Sequence, residues 1–208
     1  MTQLVFATNN PHKVQEINQI LKNNSVVNAN GVGQERGMSV DKFNIVTMSA
    51  IGHTTDLPET HETIIENAIE KAQFLHKMYN IACFSEDTGL EIDALNGKPG
   101  VHTAHYSGSR DPRSNIDLVL KQMGETPYRS ARFRTIICLI LNNEQYIFEG
   151  ICEGKIRFEP SGTEGFGYDP IFQPDGFDET FATLSADKKN SISHRGKAMQ
   201  QLLNFLKK

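Results

Sequence analysis

Residues 131–153 read ARFRTIICLILNNEQYIFEGICE. Ala131 to Leu141 is rich in β-branched and apolar residues, Gln145 to Glu153 forms a second such run, and Asn142-Asn143 between them tolerates the positive φ of a tight turn. This is a long hairpin, and its strands must be antiparallel. Working outward, strand and helix patterns alternate. Leu4 to Thr8 reads as a buried strand, and Asn10-Pro11 begins a helix running to about Leu21, with Val14, Ile17, Ile20 and Leu21 on one face. Further strands are expected near Ser25 to Asn28 and from Phe43 to Met48. Thr63 to Met78 reads as an amphipathic helix with Ile65, Ala68, Ile69, Ala72 and Leu75 facing inward. Ile81 to Ser85 and Leu90 to Ile92 are strand-like, Asp111 to Met123 is helical, and a last helix runs from about Arg195 to Leu206. The fold class is therefore α/β, a mixed central sheet flanked by helices. No linker, repeat or low-complexity run divides the 208 residues, so one domain over 1–208 is expected.

Composition narrows the function. A net charge of −4 argues against a nucleic-acid polymer as partner, because such binding rests on a broad excess of Lys and Arg. No apolar stretch approaches the roughly 20 residues that span a bilayer. The first residues lack the charged flank and apolar core of a signal peptide, so a cytoplasmic protein is expected. Cys83, Cys138 and Cys152 are scattered through apolar surroundings, which suits buried thiols rather than a disulfide framework or a zinc site.

The chemistry is concentrated in a few short segments. Gly162-Thr163, Gly165-Phe166-Gly167-Tyr168-Asp169-Pro170 and then Ser193-His194-Arg195 combine backbone that can approach a ligand closely, flat faces for stacking, and donors with positive charge. A purine nucleotide needs all three. Thr8-Asn9-Asn10-Pro11-His12-Lys13 joins the first strand to the first helix and reads either as a phosphate cradle of exposed N–H groups plus a lysine or as an ordinary capped turn. Ser85-Glu86-Asp87-Thr88-Gly89-Leu90 is expected where a strand ends and a turn begins, a position from which one carboxylate could bind Mg²⁺ and another activate water. Glu59 lies in the loop before the long helix and is the better metal candidate there, since Glu62, Glu66 and Glu70 suit a solvated face. Lys71 is balanced between phosphate and solvent. Gly31 to Gly37 only superficially matches a glycine-rich nucleotide loop and reads as a surface loop. The seven histidines show no metal-ligand spacing and are expected in loops or at the surface.

Five ordered motifs, Thr8-x-Asn10-x-x-Lys13, Glu66-Asn67-Ala68 with Lys71, Glu86-Asp87-Thr88-Gly89-Leu90, Gly165 to Pro170, and Lys189 with Ser193-His194-Arg195, run nearly end to end. In this order they resemble the Ham1-like, or inosine triphosphate pyrophosphatase, family. The resemblance implies Mg²⁺-dependent hydrolysis of non-canonical purine nucleoside triphosphates (ITP, dITP, XTP) to the monophosphate and pyrophosphate, by a homodimer whose elongated, two-lobed subunit carries the site in a cleft between its lobes. It implies Asp87 as catalytic acid, with Glu59 and Asp87, and Glu86 beside them, as metal-site oxygens. It further implies nucleotide binding by Thr8, Asn9, Asn10, Pro11, His12, Lys13, Lys71, Thr88, Phe166, Gly167, Tyr168, Asp169, Lys189, His194 and Arg195. Glu86 stands where the family commonly has Asp, Thr88 where it has Ser, and His105 where it usually has Arg, while residues 30–41 exceed the usual connection. A pyrophosphatase for pyrimidine or other modified nucleotides and a non-hydrolytic nucleotide-binding regulator are the alternatives.

Overall fold

The computed structural model describes residues 2–24, 38–40 and 42–208. Strand β1 (Thr2–Ala7) leads into α1 (Pro11–Asn24), followed by β2 (Met38–Val40) and β3 (Phe43–Thr47). Helix α2 (Ile64–Tyr79), β4 (Cys83–Ile92), the short β5 (Pro99–Gly100) and α3 (Pro112–Met123) come next. The hairpin β6 (Ser130–Leu141) and β7 (Glu144–Ile156), then β8 (Phe172–Pro174), α4 (Ala186–Ile192) and α5 (His194–Leu206) complete the chain. The strands form one mixed sheet in the order β2-β3-β1-β4-β6-β7-β8, with β5 beside β4. β1 is parallel to β3 and β4, whereas β4, β6, β7 and β8 are successively antiparallel. Asn142 and Asn143, at φ 54° and 63°, make the two-residue turn expected between β6 and β7. The strand expected near Ser25 to Asn28 and the Gly31 to Gly37 segment lie outside the described residues.

Helices cover both faces of the sheet. α1 and α5 bury Ile17, Ile20, Leu21, Met199, Leu202 and Leu203 against Leu4, Phe6 and Phe84 on one face. α2 buries Ile64, Ala68, Ala72 and Leu75 against Val5, Ala7, Cys83 and Cys138 on the other. A third apolar group gathers Ile116 and Val119 of α3 with Phe133, Tyr168, Phe172 and Phe181 at the far end of β4, β6 and β7. All three cysteines are buried and unpaired.

Two expectations need correction here. Ile65 is 36% exposed, because the stripe that meets the sheet is phased on Ile64, Asn67, Ala68, Lys71, Ala72 and Leu75. The second correction positions the site: Ser85 to Leu90 is not a turn but the middle of one continuous strand, paired with Cys138 to Phe133 of β6. Its polar side chains are satisfied sideways on both faces, so nothing forces the chain to turn. β1 stops at Ala7, opposite Ser85, and among the described residues no strand covers Glu86 to Gly89 on that side until β5 meets Leu90. That gap, at the carboxyl end of β1, is where open α/β sheets receive ligands.

Candidate active site

A cavity of about 570 Å³ occupies this gap. Its walls come from the turn 8–13, the loop 56–59, β4, the loop 101–112, and the segments 166–169 and 189–195. All but one of the site residues expected from the sequence line it; Glu86 lies behind the wall.

Strand alternation divides the work of β4. Ser85 and Asp87 face α2, where the Ser85 hydroxyl donates to the Ala68 carbonyl and Lys71 Nζ donates to Asp87 Oδ1 at 2.7 Å. Lys71 also reaches Glu59 Oε1 at 2.5 Å, so the helix lysine is buried and holds the two candidate metal carboxylates together. Glu86 and Thr88 face α5. Arg195 grips Glu86 in a fork, Nε to Oε2 at 2.7 Å and Nη2 to Oε1 at 3.0 Å, and Lys13 Nζ lies 2.9 Å from the same Oε1. Thr88 bonds Thr135 across the sheet at 2.6 Å. Glu16, which the motifs did not single out, accepts from Arg195 Nη1 and from Lys189 Nζ, and Lys189 also meets Asp169 Oδ2 at 2.6 Å. Glu16 lies one helical turn from Lys13, so the i, i+3 spacing on α1 was the signal that could have found it.

The charges are strongly biased by this packing. Burial pushes the Asp87 carboxyl above its ordinary value, with Lys71 and Lys13 opposing only in part, which makes Asp87 the more basic acid of the pair on β4. Burial acts on Glu86 in the same direction, but Arg195 and Lys13 outweigh it and hold that carboxyl well below the usual range. His194 is pushed well below its usual value by burial and by Arg195 and Lys189, so its imidazole is neutral at physiological pH. It stacks on Phe133 at 4.6 Å between ring centroids. Its Nδ1 and the Tyr168 hydroxyl are buried polar atoms without a hydrogen-bond partner among the described residues, and both residues line the cavity. Orphaned polar atoms of this kind suit the polar edges of a bound base.

Of the two readings of the turn 8–13, the capped turn is the one built. Asn10 caps α1, its Oδ1 accepting from the His12 and Lys13 N–H groups at 3.0 and 3.3 Å, so those N–H groups are engaged rather than free for ligand. Asn9 instead ties the turn to the opposite loop, donating to the Thr55 carbonyl at 2.7 Å. Asp169 closes the glycine segment by accepting from the Phe166 N–H at 2.8 Å. The Phe166 ring is stacked on His12, with centroids 5.1 Å apart and planes 13° apart. The histidines are not uniformly peripheral either: His53 is buried between Tyr79 and Thr55, and buried His194 lines the cavity.

The donors for a metal can be judged on this geometry. Glu59 and Asp87 each commit one oxygen to Lys71 and retain the other, which suits Mg²⁺, an ion that takes one or two protein carboxylates and completes its shell with phosphate and water. Among the described residues no group of three or more His, Cys, Asp or Glu is gathered as a closed metal site. Glu86 fits the role poorly, because both its oxygens are taken by Arg195 and Lys13.

The Ham1 family profile matches residues 4–205. The chain belongs to the Ham1 family. The dITP/XTP pyrophosphatase of Flavobacterium psychrophilum is 43% identical over 206 residues, covering 99% of each chain. The dITP/XTP pyrophosphatase of Bacillus subtilis is 39% identical over 210 residues, covering 99% of this chain and 98% of its own. Among solved structures, the Ham1 protein of Staphylococcus aureus superposes with a TM-score of 0.83 at 33% identity, covering 99% of this chain and 98% of that one. Similarity running end to end supports nucleoside triphosphate pyrophosphatase activity in general terms for this Ham1-family chain. Among the described residues no helix is long and apolar enough to cross a membrane.

Proposed function

We propose that this protein hydrolyses non-canonical purine nucleoside triphosphates, with ITP, dITP and XTP as substrates, to the monophosphate and pyrophosphate. The observation that carries the reading is the buried Asp87, held with Glu59 by Lys71 in the gap where β1 ends. A passive nucleotide-binding module has no need of a basic carboxylate in that position.

Glu59 and Asp87 would hold Mg²⁺, which on binding neutralises phosphate oxygens and favours attack on phosphorus. Asp87 orients a water against the α-phosphorus and accepts its proton. Lys71 keeps Asp87 and Glu59 in place and, with Lys13, lines the cavity where negative charge grows on the departing pyrophosphate, each lysine remaining on its carboxylates. At the other end, the base enters beside Phe133, Tyr168 and His194. A purine that stacks on Phe166 takes the face now covered by His12. Neutral His194 and the Tyr168 hydroxyl can each donate to a six-carbonyl purine, and where both are held as donors a base presenting an amino group is rejected by as much as about 10⁴-fold. By the same relationship we propose a homodimer, which light scattering at micromolar concentration would report as twice the chain mass. The reaction itself is tested by incubating the protein with Mg²⁺ and a panel of ITP, dITP, XTP, ATP, GTP and pyrimidine triphosphates. Monophosphate and pyrophosphate from the first three support the reading. Orthophosphate release, or equal turnover of ATP, contradicts it.

A further inference from the structure

The cations that the motifs supply to the cavity are already neutralised by the protein. Lys13, Lys71, Lys189 and Arg195 each touch a carboxylate, and these four face five acids, Glu16, Glu59, Glu86, Asp87 and Asp169. The network carries one net negative charge. It is also largely buried, so moving any of these cations toward a ligand strips a buried carboxylate of its partner, which is costly. A polyphosphate entering the cavity therefore draws on positive charge beyond the network, from Mg²⁺ and from any cation outside these ion pairs.

Arg110 has that charge. It lies on the exposed loop before α3 and lines the same cavity as Glu59, Lys71 and Asp87. It takes part in none of the ion pairs among the described residues. Its neighbour Asp111 does not neutralise it, being turned to cap α3 by accepting from the Ser114 N–H at 2.9 Å and hydroxyl at 2.5 Å. We infer that Arg110 binds the terminal phosphates of the substrate and so makes the site selective for a polyphosphate over a monophosphate. The assignment rests on the reading of the cavity as a nucleoside triphosphate site. A guanidinium grips two phosphate oxygens at once, and this one can swing in and out without unpairing a buried group.

Calorimetric titration of inorganic tripolyphosphate, in the presence of Mg²⁺, into the wild-type protein, Arg110→Gln and Arg110→Lys tests this without requiring turnover. The dissociation constant should rise about tenfold or more in Arg110→Gln, the scale of a charge-assisted pair, and less in Arg110→Lys, which keeps the charge but loses the fork. Affinity for inosine monophosphate should stay within about twofold, since a single phosphate does not reach this loop. Equal tripolyphosphate affinity in wild type and Arg110→Gln, or an equal loss for tripolyphosphate and inosine monophosphate, would overturn the assignment. Arg110-dependent tripolyphosphate binding by a protein that releases no pyrophosphate from any nucleotide would instead sink the proposed reaction and leave Arg110 standing.

Discussion

Glu86 and Asp87 are adjacent acids with opposite fates, and the difference is which face of β4 each occupies. Glu86 is locked by Arg195 and Lys13 into a permanently ionised clamp, whereas Asp87 shares one lysine with Glu59 and keeps an oxygen toward the cavity. Asp87→Asn is nearly isosteric and removes the base. Its kcat for ITP at saturating Mg²⁺ should fall by about 10²–10⁴-fold, the usual worth of general-base action, while the melting temperature changes little because Lys71 retains Glu59. Near-normal kcat would assign water activation to another group. Arg195, which the resemblance places among the nucleotide-binding residues, has its guanidinium engaged by Glu86 and Glu16. Arg195→Ala leaves buried Glu86 to Lys13 alone and buried Glu16 to Lys189 alone, so a loss of stability of up to about 3 kcal/mol is expected in denaturant unfolding before any change of base preference can be read.

At the scale of elements, the site depends on how closely α5 lies on the sheet. A Cβ on Gly150 of β7 would stand 2.0 Å from the His194 carbonyl oxygen and 2.6 Å from the Ala198 nitrogen, so only glycine lets the start of α5 approach β7 this far. Gly150→Ala should displace that helix start, and with it His194. Overpacking of this kind costs about 1–3 kcal/mol, and the diagnostic readout is a KM for ITP raised more than kcat is lowered, because the base end moves and the Asp87 end does not. A fall in kcat alone would contradict the placement of His194 at the base end. Much of this layer was legible in the sequence. The hairpin, its Asn142-Asn143 turn and helices α1, α2, α3 and α5 all follow from local periodicity and caps. The continuity of β4 was not legible, since Ser85 to Gly89 reads locally as a polar turn, and what holds it straight is Arg195, more than 100 residues away, together with Ala68 and Lys71 on α2. The Asp87, Glu59 and Lys71 cluster was visible as separate motifs, but its mutual contact was not. Arg110 had no sequence signal at all, because an arginine in a polar loop is indistinguishable from a solvated one.

For the whole molecule, the mixed sheet accounts for the location of the site. β1 is flanked by two parallel partners, its connection leaves toward one side, and β4 runs on past its end to pair with β6, which opens a cavity walled by both helical layers and by the far apolar group. In the proposed reaction the charges across that cavity divide the tasks: the buried ion pairs fix the geometry, while the free oxygens of Asp87 and Glu59, with Arg110, would face the ligand. In the proposed reaction, water attacks the α-phosphorus with Asp87 as its base. Hydrolysis of ITP in ¹⁸O-labelled water with Mg²⁺, followed by mass spectrometry of both products, tests it most directly. The label should appear in inosine monophosphate and not in pyrophosphate, whereas label in pyrophosphate or release of labelled orthophosphate would place the attack at another phosphorus and rule this reaction out.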